Sequence, residues 1–358
     1  MHTKSYGLDL LRIISSLLVF IPHIVISLSK DPALVKNSFI ISILGVEIFF
    51  CLSGFLICKY GASIIKSSKY MFLNSYIFII RRIGRTWPAY FFALLSYIIF
   101  YRYYESEILY YILFLQNLNY PIVSETFFSV SWSICVEEIF YIIFPLLLCL
   151  TVLINRRYLK DYISSSLLIM ITCFLIIIFV FFLRDNYNYA EWGSELRRVA
   201  VFRIDSIAFG GIGYFVFKHL KKITIVNITF FLLFPALLYF IYNQLNLYYE
   251  NQNFTLVGIK NNLIFYIIYF FCLITIFLAE KITYIKNNKL KKIISELANW
   301  SYPLYLMHML VIDLIKNLEI DNISINIILI FSLSFLISYL IRHYIEEPFI
   351  KIRPIFHK

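Results

Sequence analysis

Residues 10–25 read LLRIISSLLVFIPHIV, an apolar run broken only by Arg12 and His23. The run continues to residue 29, and about 20 mostly apolar residues suffice to cross a bilayer. Pro22-His23 falls inside it and no small-residue cleavage site follows, so it reads as a retained first span rather than a removed leader. The same pattern recurs along the 358 residues, of which 61% are hydrophobic and only 15% charged. Soluble domains carry roughly 25% charged residues, and a soluble surface this apolar would aggregate. The chain therefore reads as an all-α, polytopic membrane protein.

Ten apolar spans are expected, at residues 10–29, 41–58, 87–101, 139–154, 166–183, 201–217, 223–241, 262–279, 301–317 and 323–341. The shorter run at 108–118, ILYYILFLQNL, reads as a re-entrant or interfacial piece. Lys and Arg collect on the cytoplasmic side of membrane proteins. With the N-terminus placed inside, the inner segments hold 22 basic residues and the outer ones 7, while the acidic residues run the other way, 6 against 12. This predicts ten helices with both termini cytoplasmic and one membrane domain over 1–358. The net charge of +11 is then mostly topology, and no nucleic-acid partner is expected. The six cysteines show no ligand spacing, so they read as buried thiols, with no disulfide framework and no metal site.

Ionisable groups inside spans are costly and are functional candidates by default. They are Arg12, His23, Glu47, Arg203, Asp205, His308, Asp313 and Lys316. Arg12 and His23 stand eleven residues apart, about 16 Å along the axis and about three full turns, so they share one helix face. Taken alone, the arginine could snorkel to headgroups and the histidine could be a packing residue. Stacked on one face, they fit a pathway. Glu47, placed just below the outer end of the second span, matches the depth of His23 and is expected to orient its imidazole. Arg203 and Asp205 are candidates to pair with each other. Asp313 and Lys316 read as a local ion pair, and His308 reads as a packing residue.

Four further stretches bear on function. RRIGRTWPAY puts Arg81, Arg82 and Arg85 just before the third span, where they suit a polyanion such as a nucleotide phosphate or, alternatively, lipid headgroups. FFCLSGFLI ends the second span with Ser53-Gly54, which permits close helix approach. WSICVEEIFY puts Glu137 and Glu138 at the outer mouth of the fourth span. LANWSYPLYLMH and YLIRHYIEEPF close the chain.

In this order, these elements resemble the acyltransferase-3 family, integral-membrane acyltransferases of bacterial surface and secreted glycans. The likeness covers nearly the whole chain. It includes R-x10-H (Arg12, His23), GV(D/E)xFFxLSGFLI, RRxxRxxPxY (Arg81, Arg82, Arg85, Pro88, Tyr90), WSLSVEEQFY, RxDxxxxG (Arg203, Asp205, Gly210) and SYxLYLxH (Ser301, Tyr302, His308). Cys135 and Ile139 depart from the usual Ser and Gln, and Pro303 stands where a small polar residue is common. The resemblance is to stand-alone members, without the C-terminal hydrolase-like domain that some relatives carry.

The resemblance implies a multi-pass enzyme of the bacterial cytoplasmic membrane, surrounded by lipid. It would move an acyl group, most often acetyl, from cytoplasmic acetyl-CoA to a hydroxyl of a surface or lipid-linked glycan. Arg81, Arg82 and Arg85 would hold the CoA phosphates, and Arg12 would meet the pantetheine arm. His23, with an ordinary pKa near 6.5, would act as general base, oriented by Glu47 or Glu137. A covalent acyl-enzyme relay stays open. The rival class is a transporter or flippase of a glycan or lipid precursor, which would also use intramembrane charges; the chain shows no repeated half with broken spans to favour it.

Overall fold

In lipid every backbone N–H and C=O must find an internal partner, which restricts spanning segments to helices and closed barrels. The computed structural model meets this demand with helices. It describes residues 5–64, 70–118, 127–159, 163–187, 192–220, 224–251 and 259–354, among which there is no strand. Some of the loop charge, including Lys66, Lys69, Lys160, Lys221 and Lys222, lies outside the described residues.

The helices are α1 (Tyr6–Leu28), α2 (Pro32–Ile64), α3 (Met71–Tyr101), α4 (Ile108–Ile112), α5 (Ser131–Leu159), α6 (Ser165–Asp185), α7 (Ile204–Leu220), α8 (Thr224–Asn251), α9 (Ile259–Glu280), α10 (Asn288–Lys316), α11 (Ile323–Leu340) and α12 (Glu347–Lys351). A π-helical turn, Trp192–Arg197, and a 3-10 turn, Ala200–Phe202, lead into α7, and a second π-turn, Ile341–Glu346, joins α11 to α12. Each of the ten expected spans falls on one of the ten long helices. Among the described residues, eight helical segments are long and apolar enough to cross a membrane. The other two long helices are α8 and α10, and α10 opens on a charged turn with Lys289, Lys291 and Lys292. The segment ILYYI forms the five-residue α4, too short to cross a bilayer.

Three helices run well beyond the apolar runs that announced them. Helix α3 starts at Met71, so Arg81, Arg82 and Arg85 lie within it rather than before it. Helix α5 starts at Ser131, which corrects the placing of Glu137 and Glu138 at an exposed mouth: both lie inside the bundle. Helix α2 starts at Pro32, so Glu47 is about 22 Å along its axis rather than near its end. The apolar pattern stops at the first charge, whereas these charges are held inside by polar partners on neighbouring helices.

Helix α1 packs on α2 and α10, and α2 packs on α7. The α2–α7 crossing is set by glycine. A Cβ at Gly54 would lie 1.7 Å from the Ile207 carbonyl oxygen, and one at Gly210 would lie 1.9 Å from that of Cys51. Backbones this close exclude any side chain, which bears out close helix packing as the reason for Gly54. All six cysteines are buried.

Two faces of the bundle can be followed through contacts. On the lower face the start of α1 meets the end of α9, where the Gly7 N–H donates to the Ile282 carbonyl at 2.9 Å. Arg81 on that side donates to the Pro354 carbonyl at 2.7 Å. On the upper face Tyr101, ending α3, donates to the Asp313 carboxylate near the end of α10.

Candidate active site

Two cavities enter the bundle and share a wall. The lower cavity, about 170 Å³, is lined by Arg12, Arg82, Arg85, Ser53, Glu137 and Ser301, among others. The upper cavity, about 810 Å³, is lined by His23, Ser42, Trp132, Arg197, Arg198 and Lys316, among others. Val46 and Tyr305 line both. Tyr305 is fixed there by its hydroxyl, which lies 2.8 Å from Ser133 Oγ and donates to the Val130 carbonyl at 3.2 Å.

Arg12 and His23, on one face of α1, thus open into different cavities. Arg12 also pairs with Asp9, one turn below it, at 3.3 Å. The lower cavity gathers the arginines of the RRxxR element unequally. Arg82 and Arg85 line it, and Arg82 sits over the Phe78 and Tyr141 rings at 5.4 and 5.1 Å. Arg81 instead ties α3 to the segment after α12.

That segment brings in a further arginine which the sequence did not single out. Arg353 has its Nε and Nη2 buried without hydrogen-bond partners among the described residues. Burial and the nearby guanidinium groups of Arg85, Arg81 and Arg82 push its pKa down to about 10. Crowded like charges and unsatisfied donors are what a bound polyanion would relieve.

The two glutamates of α5 face the same region. Glu137 accepts from Ser53 Oγ and Tyr141 Oη, both at 2.8 Å. Glu138, 4% exposed, accepts from Thr86 Oγ1 at 2.7 Å and Trp87 Nε1 at 3.0 Å. Neither pair of bonds reaches His23. Glu137 holds α5 to α2, and Glu138 holds it to α3 right after Arg85.

Glu47 is not the partner of His23 either. It is 1% exposed and forms an ion pair with Arg203, with Arg197 Nε at 3.8 Å. Arg203 therefore does not pair with Asp205, which accepts from Arg184 and, at 3.0 Å, from Tyr269 Oη. Two buried carboxylates and three arginines so tie α2, α6, α7 and α9 to the turn that ends at Arg197. An unpaired charge would be too costly at such depth. Glu47 acts on the upper cavity through Arg197. Asp313 faces Tyr101 rather than forming the expected pair with Lys316.

The partner of His23 is His308: His23 Nδ1 lies 2.9 Å from His308 Nε2. His308 is fully buried behind it, with Nδ1 at 2.7 Å from the Tyr305 carbonyl and 3.2 Å from that of Leu304. The second histidine belongs to SYxLYLxH, but its contact with α1 spans 285 residues, which no local pattern reveals.

Chemically, the arrangement offers a cation-lined lower entrance, a polar upper chamber with an imidazole in its wall, and a thin partition between them. Among the described residues, no group of three or more His, Cys, Asp or Glu converges as a metal site would require. No curated protein and no solved structure matches the chain. A family model described as an acyltransferase domain matches residues 5–343, and with it the chain is placed in the acyltransferase-3 family, as an integral-membrane acyltransferase.

Proposed function

We propose that the chain transfers an acyl group, most simply acetyl, from cytoplasmic acetyl-CoA to a hydroxyl of a glycan on the outer side of a bacterial cytoplasmic membrane. The single observation that carries this reading is the pair of cavities that meet at Tyr305, with Arg12, Arg82 and Arg85 below and His23 above. The loop charge makes the lower face cytoplasmic, which is where acetyl-CoA resides.

The CoA phosphates meet Arg82, Arg85 and Arg353, whose planar guanidinium groups suit phosphate oxygens. Arg81 keeps the Arg353 segment in place. The pantetheine arm passes Arg12 and carries the thioester toward the partition. The glycan enters the larger upper cavity, where Tyr101 supplies an aromatic wall and Arg198 and Lys316 supply donors.

In the reaction His23 takes the proton of the acceptor hydroxyl. The oxygen attacks the thioester carbonyl, a C–O bond forms and the C–S bond breaks. The sulfur leaves as a thiolate and recovers the proton held by His23. A positioned base of this kind contributes about 10²–10⁴ in rate.

Purified protein, radiolabelled acetyl-CoA and a panel of surface-glycan fragments test the reading. Label should pass to a glycan in an acceptor-dependent manner. Absence of both CoA binding and thioester turnover would overturn the donor assignment. Movement of an unmodified glycan or lipid precursor across vesicles, without acyl transfer, would put the chain's activity in the transporter class.

A further inference from the structure

Resting on the general-base reading above, we infer that His308 is a positioning residue that sets the tautomer of His23 and leaves its Nε2 as the basic nitrogen. The argument begins at the backbone. A carbonyl oxygen only accepts hydrogen bonds, and His308 Nδ1 faces two of them, Tyr305 O at 2.7 Å and Leu304 O at 3.2 Å. Nδ1 of His308 must therefore carry a proton. A neutral imidazole holds one proton, so Nε2 of His308 is bare and accepts.

The contact at Nε2 is an in-plane hydrogen bond. The two ring centroids are 5.1 Å apart and the planes lie within 18°, while the facing nitrogens are 2.9 Å apart. Rings stacked face to face would keep their atoms at van der Waals separation, about 3.5 Å or more. Edge-to-edge rings bring two nitrogens to 2.9 Å, as an N–H···N bond requires. Since His308 Nε2 accepts, His23 Nδ1 must donate. The remaining nitrogen of His23, Nε2, carries the lone pair, and His23 is the member of the pair that lines the upper cavity.

The chain of constraint runs from two peptide carbonyls, through a fully buried ring, to the one imidazole that meets the acceptor. Without His308, His23 could rotate or take the other tautomer, with a proton on Nε2 and no base facing the hydroxyl. A histidine that catalyses proton transfer commonly needs its second nitrogen held this way. Here a neutral imidazole does the holding, where Glu47 is committed to Arg203 and Glu137 to Ser53 and Tyr141. Tyr305 joins the two roles, because its side chain forms the partition and its carbonyl fixes the His308 proton.

The test combines a spectroscopic readout with substitution. In the full-length protein in detergent, with ¹⁵N-labelled histidine and His23→Gln as the assignment control, His23 at neutral pH should show a protonated Nδ1 and a bare Nε2. A protonated Nε2 would overturn the inference whether or not the protein proves to transfer acyl groups. For activity, His308→Gln places a carbonyl oxygen near the lost Nε2 and should keep acyl transfer within about tenfold of wild type. His308→Leu removes the acceptor and should lower kcat by roughly 10²-fold, with KM for acetyl-CoA nearly unchanged. Equal losses in the Gln and Leu variants, or a KM effect alone, would overturn it. Loss of transfer in His308→Leu together with full transfer in His23→Ala would instead remove the general-base reading and leave the spectroscopic assignment standing.

Discussion

The two cavities hold charge in opposite ways. The lower one is small, about 170 Å³, and its wall gathers guanidinium groups with aromatic and carboxylate neighbours; beside Arg85 and Arg82, Arg353 keeps unsatisfied donors. The upper one, about 810 Å³, backs onto a network in which Arg184 and Arg203 each have a carboxylate, and its histidine is held by a second histidine. An anion would satisfy the Arg353 donors beside the lower cavity, whereas the arginines behind the upper one already have protein carboxylates as counter-charges. Ligand contact should therefore govern the behaviour of the lower wall, and internal bonding that of the upper. Substitutions can separate the two.

The largest effect is expected at His23. His23→Ala should lower acyl transfer by about 10²–10⁴ while acetyl-CoA still binds, measured by single-turnover label transfer beside equilibrium binding. Full activity in that variant would end the proposed mechanism. Next comes the network behind the upper cavity. Glu47→Gln leaves Arg203 buried without its counter-charge and should cost about 3–5 kcal/mol, seen as a lower thermal midpoint in detergent. The double variant Glu47→Gln/Arg203→Met should recover much of that loss; if it does not, the pair is not what ties these helices together.

A third, intermediate effect tests the frame common to both cavities. Gly54→Ala would push a methyl into the Ile207 carbonyl and force α2 from α7, at a cost of roughly 1–3 kcal/mol. The thermal midpoint should fall, and an unchanged midpoint would show that the two helices do not approach this closely.

The smallest effects belong to the lower wall, and they should appear only with ligand. Arg85→Gln should raise the KM for acetyl-CoA by about tenfold with kcat little changed, consistent with the loss of one charge-assisted bond of about 1.5 kcal/mol. CoA at a hundred times its Kd should add about 2.7 kcal/mol of stability to the wild-type protein, and less to Arg353→Gln. Because the folded protein holds the Arg353 pKa below its ordinary value, its charge opposes folding at neutral pH, and bound phosphate removes that opposition. A CoA-induced thermal shift that ignores both substitutions would move the donor phosphates away from this wall.

The fold was largely legible because apolar runs of helix length are a strong signal, and all ten found a helix. The ends of those helices were not. Met71 to Trp87 and Ser131 to Glu138 carry charges that only partners elsewhere make acceptable inside a bundle, such as Thr86 and Trp87 for Glu138. The site was legible where chemistry and local periodicity coincide: Arg12 and His23 on one face, and Arg82 with Arg85 one turn apart. It was illegible where one residue of a pair lies far away in sequence. The Arg203–Glu47 bond spans 156 positions and the His23–His308 bond 285, so depth along a span pointed to Glu47 although His308 was the neighbour. Arg353 escaped notice because a cation beyond the last span is what topology alone supplies.

The shared wall carries a consequence for the membrane itself. Tyr305 and Val46 stand between a cavity open to one side and a cavity open to the other. A living bilayer stores a voltage worth about 2.3 kcal/mol per elementary charge for each 100 mV, and most of that drop falls across whatever layer is driest. Were both pockets filled with water, they would concentrate it over one tyrosine and one valine. Tyr305 would then act as electrical insulation as well as a partition, and the acyl transfer proposed above would have to pass a spot that stays closed to ions.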